Sequence, residues 1–449
     1  MSTETTISTL WQKSKLLIKA GIIGILILLL LIPTEYIKDL IREREQRQKE
    51  AAHEVNSKWA GRQNIAGPIL VLPFLQHDKD SVTNQSKQKQ YAYFLPEELS
   101  INSTVVPQKK YRGIYKVMLY SSINKINGVF GNIHPELLNI SEQDILWEEA
   151  FIRIYINDMK GVNEQLKPKW KDKEINLLPE IKSDKTIMES VSCALHLSGM
   201  DDLKNATFST EINLEGSEQL VFTPVGSTTL VTMSSTWPDP SFTGDALPQS
   251  TEIKEGGFTA SWKSVSHKRN FPQQWRENNF NVYNYNTVFT DAAGNIGASA
   301  FGADLFISVN GYQKTMRSVK YAVLCILLTF AAFFIIESIN KQSVHPFQYA
   351  LIGLALVMFY TLLLSFSEYI GFDMAYVISS IATIGLIAWF VRGILKSSKS
   401  SALLATILVL LYSYVFTILQ LQDYALLMGS LGLFISLAVI MYFSRKIQW

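Results

Sequence analysis

The chain has 449 residues, of which 48% are apolar and only 18% are charged, and its formal net charge is +2. A nearly balanced charge offers no general attraction for nucleic acid, so we expect no nucleic-acid partner. The averages conceal two populations, because the last third of the chain is almost free of charge while the middle is polar. This contrast is typical of a membrane protein that carries a water-exposed domain.

The first predicted element is a membrane helix at about residues 16–37. Its apolar run, Ala20–Ile32, follows Lys13, Lys15 and Lys19, a pattern that secretory signal peptides also show. The residues just after the run lack the alternating small side chains of a signal-peptidase site. We therefore predict an uncleaved anchor whose Lys19 extends toward the lipid headgroups, with a cleaved signal peptide as the alternative.

A charged segment, residues 38–58, contains neither Gly nor Pro and predicts a helix that extends the first span. We interpret it as a solvated stalk, with a partner-binding coiled coil as the alternative.

Beyond the stalk, apolar and polar residues alternate, which predicts half-buried antiparallel strands in a sandwich-like domain. The clearest cases are FIRIYIND (151–158), TFSTEINL (207–214), FTASW (258–262) and DLFISVN (304–310). A weak repeat between LVLPF (70–74) and LVFTP (220–224) leaves open whether there are one or two β-subdomains.

Five more apolar segments follow, each long enough for the ~30 Å hydrocarbon core of a bilayer. They lie at about 319–337, 347–366, 372–391, 401–420 and 424–443. The predicted fold is an integral membrane protein with six helical spans, arranged one plus five around a large β-rich domain. The predicted domains are residues 1–37, 38–318 and 319–449.

Loop charges predict the orientation through the positive-inside rule. The N-terminal lysines, the link with Arg392, Lys396 and Lys399, and the C-terminal Arg445 and Lys446 fall on one side. We therefore expect an inner-membrane protein with both termini in the cytoplasm and the large domain in the periplasm.

One basic group contradicts this asymmetry and suggests a site. Its members are Lys314, Arg317 and Lys320, which fall on the predicted outer side together with the acidic Glu368, Asp373 and Asp423. Opposite charges near headgroups would attract, so we hypothesise that they fasten the domain's exit strand to the helices.

The sequence contains few features that are typical of a catalytic site. His53-Glu54 begins like a zinc-protease motif, but Ser57 occupies the position of the second histidine. Cys193 and Cys325 fall in regions of different depth, so we expect no disulfide, and Cys193 should be a buried thiol. The sequence predicts no enzyme, no cofactor and no metal site.

Several long blocks resemble the CreD family of inner-membrane proteins, which is linked to cell-envelope integrity. They include NIAGPILVLPF (64–74), RGIYKVMLYSS (112–122), SFTGDALP (241–248), VHPFQYALIGLALVMFYTLLLSFSEYIGFDMAY (344–376) and MYFSRKIQW (441–449). The resemblance implies a regulatory link to a two-component system that senses envelope stress, and it implies no catalytic residues. In the block 344–376, His345-Pro346 is predicted to begin a span.

Three functions compete at this stage. The favoured one is a non-enzymatic envelope-integrity factor, embedded in the lipid bilayer, whose outer domain binds an unidentified envelope protein or component. A transporter or lipid-handling protein is the alternative, although the spans lack mid-depth charges. The third is an interfacial enzyme that uses Glu368, Asp373 or Asp423.

Overall fold

The structure, a computed structural model, describes residues 3–77, 87–131, 133–178, 188–276, 279–282, 294–305, 310–340, 343–421 and 425–444. Contacts divide the chain into two compact units. Residues 1–50 and 308–449 form one, which we call the membrane unit, and residues 51–307 form the β-rich unit. The predicted domain limits at 37/38 and 318/319 refer to the membrane surface and stay a prediction.

The first helix, α1, runs without interruption over Thr3–Lys58. The predicted anchor and the predicted helical stalk are therefore confirmed as parts of one helix. Ion pairs one turn apart stabilise its charged part, including Arg47–Glu43 at 2.6 Å and Lys49–Glu45 at 3.0 Å. Such pairs contribute about 0.2–0.5 kcal/mol each to an isolated helix.

Six further helices lie in the C-terminal part of the described chain. They are α2 (Asn310–Lys320), α3 (Ala322–Asn340), α4 (Pro346–Ile370), α5 (Phe372–Leu395), α6 (Ser398–Gln420) and α7 (Ala425–Ser444). Five helical segments of the described residues are long and apolar enough to cross a membrane: Ile18–Lys58 of α1, and α3 to α6. The remaining predicted span, 424–443, coincides with α7.

The outward faces of these helices are as apolar as their packed faces. Leu28 is 65% exposed, Ile381 68% and Trp389 74%. Water would penalise so much exposed hydrocarbon, whereas lipid tails would not. These apolar outer surfaces favour lipid over water, which supports the prediction of a membrane protein.

Helix α2 corrects the prediction of an exit strand that carries Lys314, Arg317 and Lys320. All three residues lie on this short amphipathic helix. It buries Tyr312, Thr315 and Val319 at helical spacing on one face. A break at Tyr321 separates it from α3, so the predicted second span begins at the junction of two helices.

Aromatic side chains and one glycine pack the membrane unit. The Phe359 ring of α4 lies 5.3 Å from that of Tyr376 and 4.7 Å from that of Tyr412, which joins α4, α5 and α6. Gly353 lets α1 approach closely, because a Cβ there would come within 2.1 Å of Leu30 Cδ1. The predicted start of a span at His345-Pro346 is confirmed, since His345 caps α4.

The β-rich unit contains sixteen strands within the described residues. They are β1 (Gln63–His77), β2 (Lys87–Phe94), β3 (Glu98–Arg112), β4 (Tyr115–Phe130), β5 (Phe151–Ile156), β6 (Lys169–Trp170), β7 (Lys173–Glu174), β8 (Leu177–Leu178), β9 (Glu189–Ala194), β10 (Ala206–Thr223), β11 (Thr228–Ser235), β12 (Ser241–Gly244), β13 (Ser250–Lys254), β14 (Gly257–Val265), β15 (Gln274–Arg276) and β16 (Phe301–Leu305).

Of the predicted strand 151–158, residues 151–156 form β5, and the predicted strands at 207–214 and 258–262 are confirmed as parts of β10 and β14. Of the predicted strand 304–310, Asp304 and Leu305 end β16, Asn310 begins α2, and 306–309 lie outside the described residues. Most pairings are antiparallel as predicted, but β1 pairs with β10 in parallel, and so does β3 with β11.

One hydrogen-bonded network connects all these strands, and it folds back on itself. Strand β14 is linked to β16 only through β11, β3, β4 and β10. Even so, the rings of Trp262 on β14 and Phe301 on β16 stack with centroids 5.8 Å apart. The apolar faces of distant strands therefore meet in a shared core, which makes the unit sandwich-like.

Candidate functional site

The predicted outer charge cluster forms two separate contacts in the membrane unit. The first joins α2, α5 and α6. Lys314 Nζ lies 3.7 Å from Asp373 Oδ1 and donates to Gln420 Oε1 at 3.0 Å, and Gln420 Nε2 donates to Asp373 Oδ1 at 2.7 Å. Gln420 was not predicted as a member, although its place at the end of a span could have suggested it.

The second contact surrounds Glu368, whose side chain is only 9% exposed. The hydroxyl of Tyr312 donates to Glu368 Oε1 at 3.0 Å, and Arg44 Nε lies 3.9 Å from the same oxygen. This carboxylate therefore has a cation and a hydroxyl donor from α1 and α2. Sequence reasoning assigned Arg44 to a solvated stalk and missed its role.

The other predicted members are not brought together. Arg317 is half-buried and Lys320 is exposed, and neither has an ion-pair partner within the part of the chain that the structure describes. Asp423 lies outside the described residues. In the contacts that are seen, Glu368 and Asp373 each accept a hydrogen bond from a neighbouring helix, which suits fastening of helices.

A second charged site, at the other end of the same helices, was missed by sequence reasoning. Lys19 Nζ is ion-paired with Glu337 Oε1 and donates to the Val344 carbonyl at 2.8 Å. Glu337 also accepts from the Val344 amide at 2.8 Å and from the Tyr349 hydroxyl at 2.7 Å. Lys19, which we predicted at the headgroups, thus has a protein partner.

The signal for this pair was present in the sequence. The positive-inside rule places Lys19 and the link between α3 and α4 on the same side of the membrane, and Glu337 follows directly on the apolar run of α3. The buried Glu337 side chain is only 5% exposed and needs a counter-charge inside the helical packing.

The β-rich unit contains a polar cleft made of two adjoining hollows of about 520 and 430 Å³. Asp245, Lys268 and Ser299 line both hollows. The larger hollow adds amide and hydroxyl side chains from strands β10 and β12 and from the loop after β14. These are Gln219, Thr243 and Asn270.

Local backbone geometry forms this cleft. Gly244 ends β12 with φ +100, and the Asp245 amide donates to the Ala300 carbonyl at 3.0 Å. A Cβ at Gly244 would lie 2.1 Å from the Ala300 oxygen, so only glycine fits there. The sequence block SFTGDALP therefore contains the turn that forms one wall.

Arg269 lines the smaller hollow and fastens the turn between β10 and β11. Its Nη1 donates to the carbonyls of Val225 at 2.7 Å and Gly226 at 3.2 Å, and its Nη2 donates to Gln273 Oε1. Burial lowers the pKa of this guanidinium to about 10. Sequence reasoning did not identify Arg269, because its partners are remote backbone carbonyls.

Both cysteines are free and buried, and burial raises the pKa of the Cys193 thiol to about 12, which suppresses the nucleophilic thiolate. Among the described residues, no three His, Cys, Asp or Glu side chains are close enough together to bind a metal ion.

Comparison with known proteins agrees with this architecture. The family model for inner membrane protein CreD matches residues 15–449. The inner membrane protein CreD of Escherichia coli K12 is 30% identical over 429 residues, which cover 94% of this chain and 91% of the relative. The match extends over the anchor, the β-rich unit and the helices that follow, and the chain therefore belongs to the CreD family of inner membrane proteins.

Proposed function

We propose that this chain is a non-enzymatic inner-membrane factor that maintains the bacterial cell envelope. In this proposal both termini lie in the cytoplasm, and the β-rich unit lies in the periplasm and binds an envelope component. The regulatory link to a two-component stress system, which the family resemblance implies, is part of the same proposal. The name of the E. coli relative supports the inner-membrane location.

The polar cleft around Asp245 and Lys268 is the observation that carries the binding role. It is concave, it is lined by amide, hydroxyl and charged side chains, and its size suits a small polar group. The helix-end carboxylates Glu368 and Asp373, by contrast, already accept hydrogen bonds from neighbouring helices. A binding function therefore fits the β-rich unit better than a catalytic function fits the helix ends.

The orientation can be tested with introduced cysteines, since both native thiols are buried. Leu137 is 72% exposed in the β-rich unit, and Lys399 is exposed at the start of α6. A membrane-impermeant maleimide should label Leu137→Cys in intact spheroplasts and Lys399→Cys only after lysis. The reverse pattern would refute the proposed orientation.

The binding role can be tested by in-cell photocrosslinking from the cleft. A photoreactive residue at exposed Asn270, which lines the larger hollow, should capture an envelope component, and one at exposed Asn102 on β3 serves as the matched control. In a strain that lacks the native protein, cleft substitutions such as Lys263→Ala/Lys268→Ala should weaken both the crosslink and envelope robustness. Equal crosslinks from both positions, with normal robustness, would contradict the role.

Transport is the second candidate, and the buried Lys19–Glu337 pair favours it. Ionisable residues within membrane helices often mark ion or substrate pathways. A substrate-dependent flux in proteoliposomes that is abolished by Glu337→Gln would support transport over envelope binding.

A further inference from the structure

The charges that line the cleft are unbalanced. The smaller hollow is lined by three cationic side chains, Lys263, Lys268 and Arg269, and by one acid, Asp245. Both lysines are exposed at its edge, whereas Arg269 lies deeper. A concave surface with a surplus of positive charge concentrates anions.

Arg269 strengthens the case for an anion, because its partners among the described residues are neutral. Its bonds go to backbone carbonyls and to the Gln273 amide oxygen, and it has no carboxylate partner among the residues that the structure describes. Its Nε atom is buried without a hydrogen-bond acceptor. Arg269 is half-buried, so its charge is partly removed from water, and a bound anion would compensate that loss of solvation.

The remaining lining groups suit the rest of a polar molecule. Ser264, Ser299 and Gln249 offer hydroxyl and amide groups in the smaller hollow. Asp245 and Asn270 offer acceptors for ligand hydroxyls in the larger one. The two hollows together would hold a molecule that has an anionic group next to a part rich in hydroxyl groups.

We infer that the cleft binds an anionic phosphate or carboxylate group of a hydroxyl-rich envelope molecule, with Lys263, Lys268 and Arg269 as the anion-binding residues. This inference rests on the proposed function and specifies the ligand class of the same cleft. Lys263 and Lys268 would supply mobile charge, and Arg269 would supply a pre-positioned donor.

The test uses the full chain in nanodiscs and two matched pairs of probes. Glycerol 1-phosphate is compared with glycerol, and N-acetylmuramic acid, which has a carboxylate, with N-acetylglucosamine. Saturation-transfer NMR should show the anionic member of at least one pair binding about tenfold more tightly, as expected for a charge-assisted hydrogen bond. Phosphate-only or carboxylate-only preference would identify the source of the anion.

Substitutions then locate the binding. Lys263→Ala/Lys268→Ala should weaken anion binding about tenfold, whereas Lys125→Ala, a change at an exposed lysine on β4, should leave it unchanged. The two lysines are substituted rather than Arg269, because removing the Arg269 side chain would also remove the hydrogen bonds that hold the turn between β10 and β11. Equal binding of charged and neutral probes, or binding insensitive to the double substitution, would overturn the inference.

The failure of this inference is distinguishable from failure of the proposed function. A crosslink from Asn270 to an envelope component, without preference for either anionic probe, would refute the anion site and leave the envelope role in place. Anion binding that depends on Lys263 and Lys268, without any crosslink or envelope defect, would support the site and refute the role.

Discussion

Lys19 at the start of the first membrane helix is ion-paired with Glu337 at the end of α3, although 318 residues separate them in the chain. Their side chains are 19% and 5% exposed, and Glu337 has further donors in Val344 and Tyr349. The pair fastens the N-terminal anchor to the helices that follow the β-rich unit.

Removing one member of this pair should destabilise the membrane unit strongly. Glu337→Ala leaves the Lys19 ammonium without its counter-charge, and such losses typically cost about 3–5 kcal/mol. Lys19→Met/Glu337→Leu should cost less than either single change, because no charge is left buried. Unfolding in detergent, monitored by circular dichroism, measures the effect, and Lys38→Ala, which breaks an exposed pair with Glu35, is the control.

The pair Lys314 and Asp373, on the predicted outer side, should contribute much less. Asp373 is 61% exposed, so water screens the interaction, and such pairs are worth about 0–1 kcal/mol. A double-mutant cycle with Lys314→Glu and Asp373→Lys should recover a small positive coupling energy in detergent. A coupling energy of zero would show that this ion pair does not hold α2 against α5.

Conservative neutralisation of the helix-end carboxylates should preserve function. Glu368→Gln keeps an acceptor for Tyr312, and Asp373→Asn keeps one for Gln420. If these groups do not act in catalysis, both variants should complement a deletion strain fully at normal expression levels. Loss of complementation by a folded variant would support the interfacial-enzyme hypothesis.

The Cys193 thiol should remain unreactive across the ordinary pH range. Burial raises its pKa to about 12, and the thiolate form is therefore gained only as the pH approaches that value. At pH 8.5 about one thiol in three thousand would be ionised, compared with half for an unperturbed cysteine. Ellman's reagent should label Leu137→Cys with a midpoint near 8.5 and leave Cys193 unlabelled until the protein is denatured.

Gly244→Ala should damage the cleft wall and the stability of the β-rich unit. Its φ of +100 is unfavourable for alanine, and the added Cβ would meet the Ala300 oxygen at 2.1 Å. Strain of this kind costs about 1–3 kcal/mol, and the clash adds to it. Gly256→Ala is the matched control, since a Cβ there would meet nothing within 4 Å. Equal melting temperatures of the two variants would contradict this account.

Local patterns in the sequence were sufficient to predict the helices and strands themselves. Long apolar runs report a lipid environment, and alternation such as Phe258, Ala260 and Trp262 reports a half-buried strand, because each depends only on neighbouring residues. The one clear local error was α2, where the charged exit segment was taken as a strand although Tyr312, Thr315 and Val319 recur at helical spacing.

Tertiary structure alone decided which remote residues meet. The Lys19–Glu337 pair, the parallel pairing of β1 with β10, and the cleft lined by Gln219 and Ser299 all join segments far apart in the chain. Periodicity specifies the faces of an element but not its neighbours. Those contacts arise only when the apolar faces pack together, since packing determines which charges are buried and must find partners.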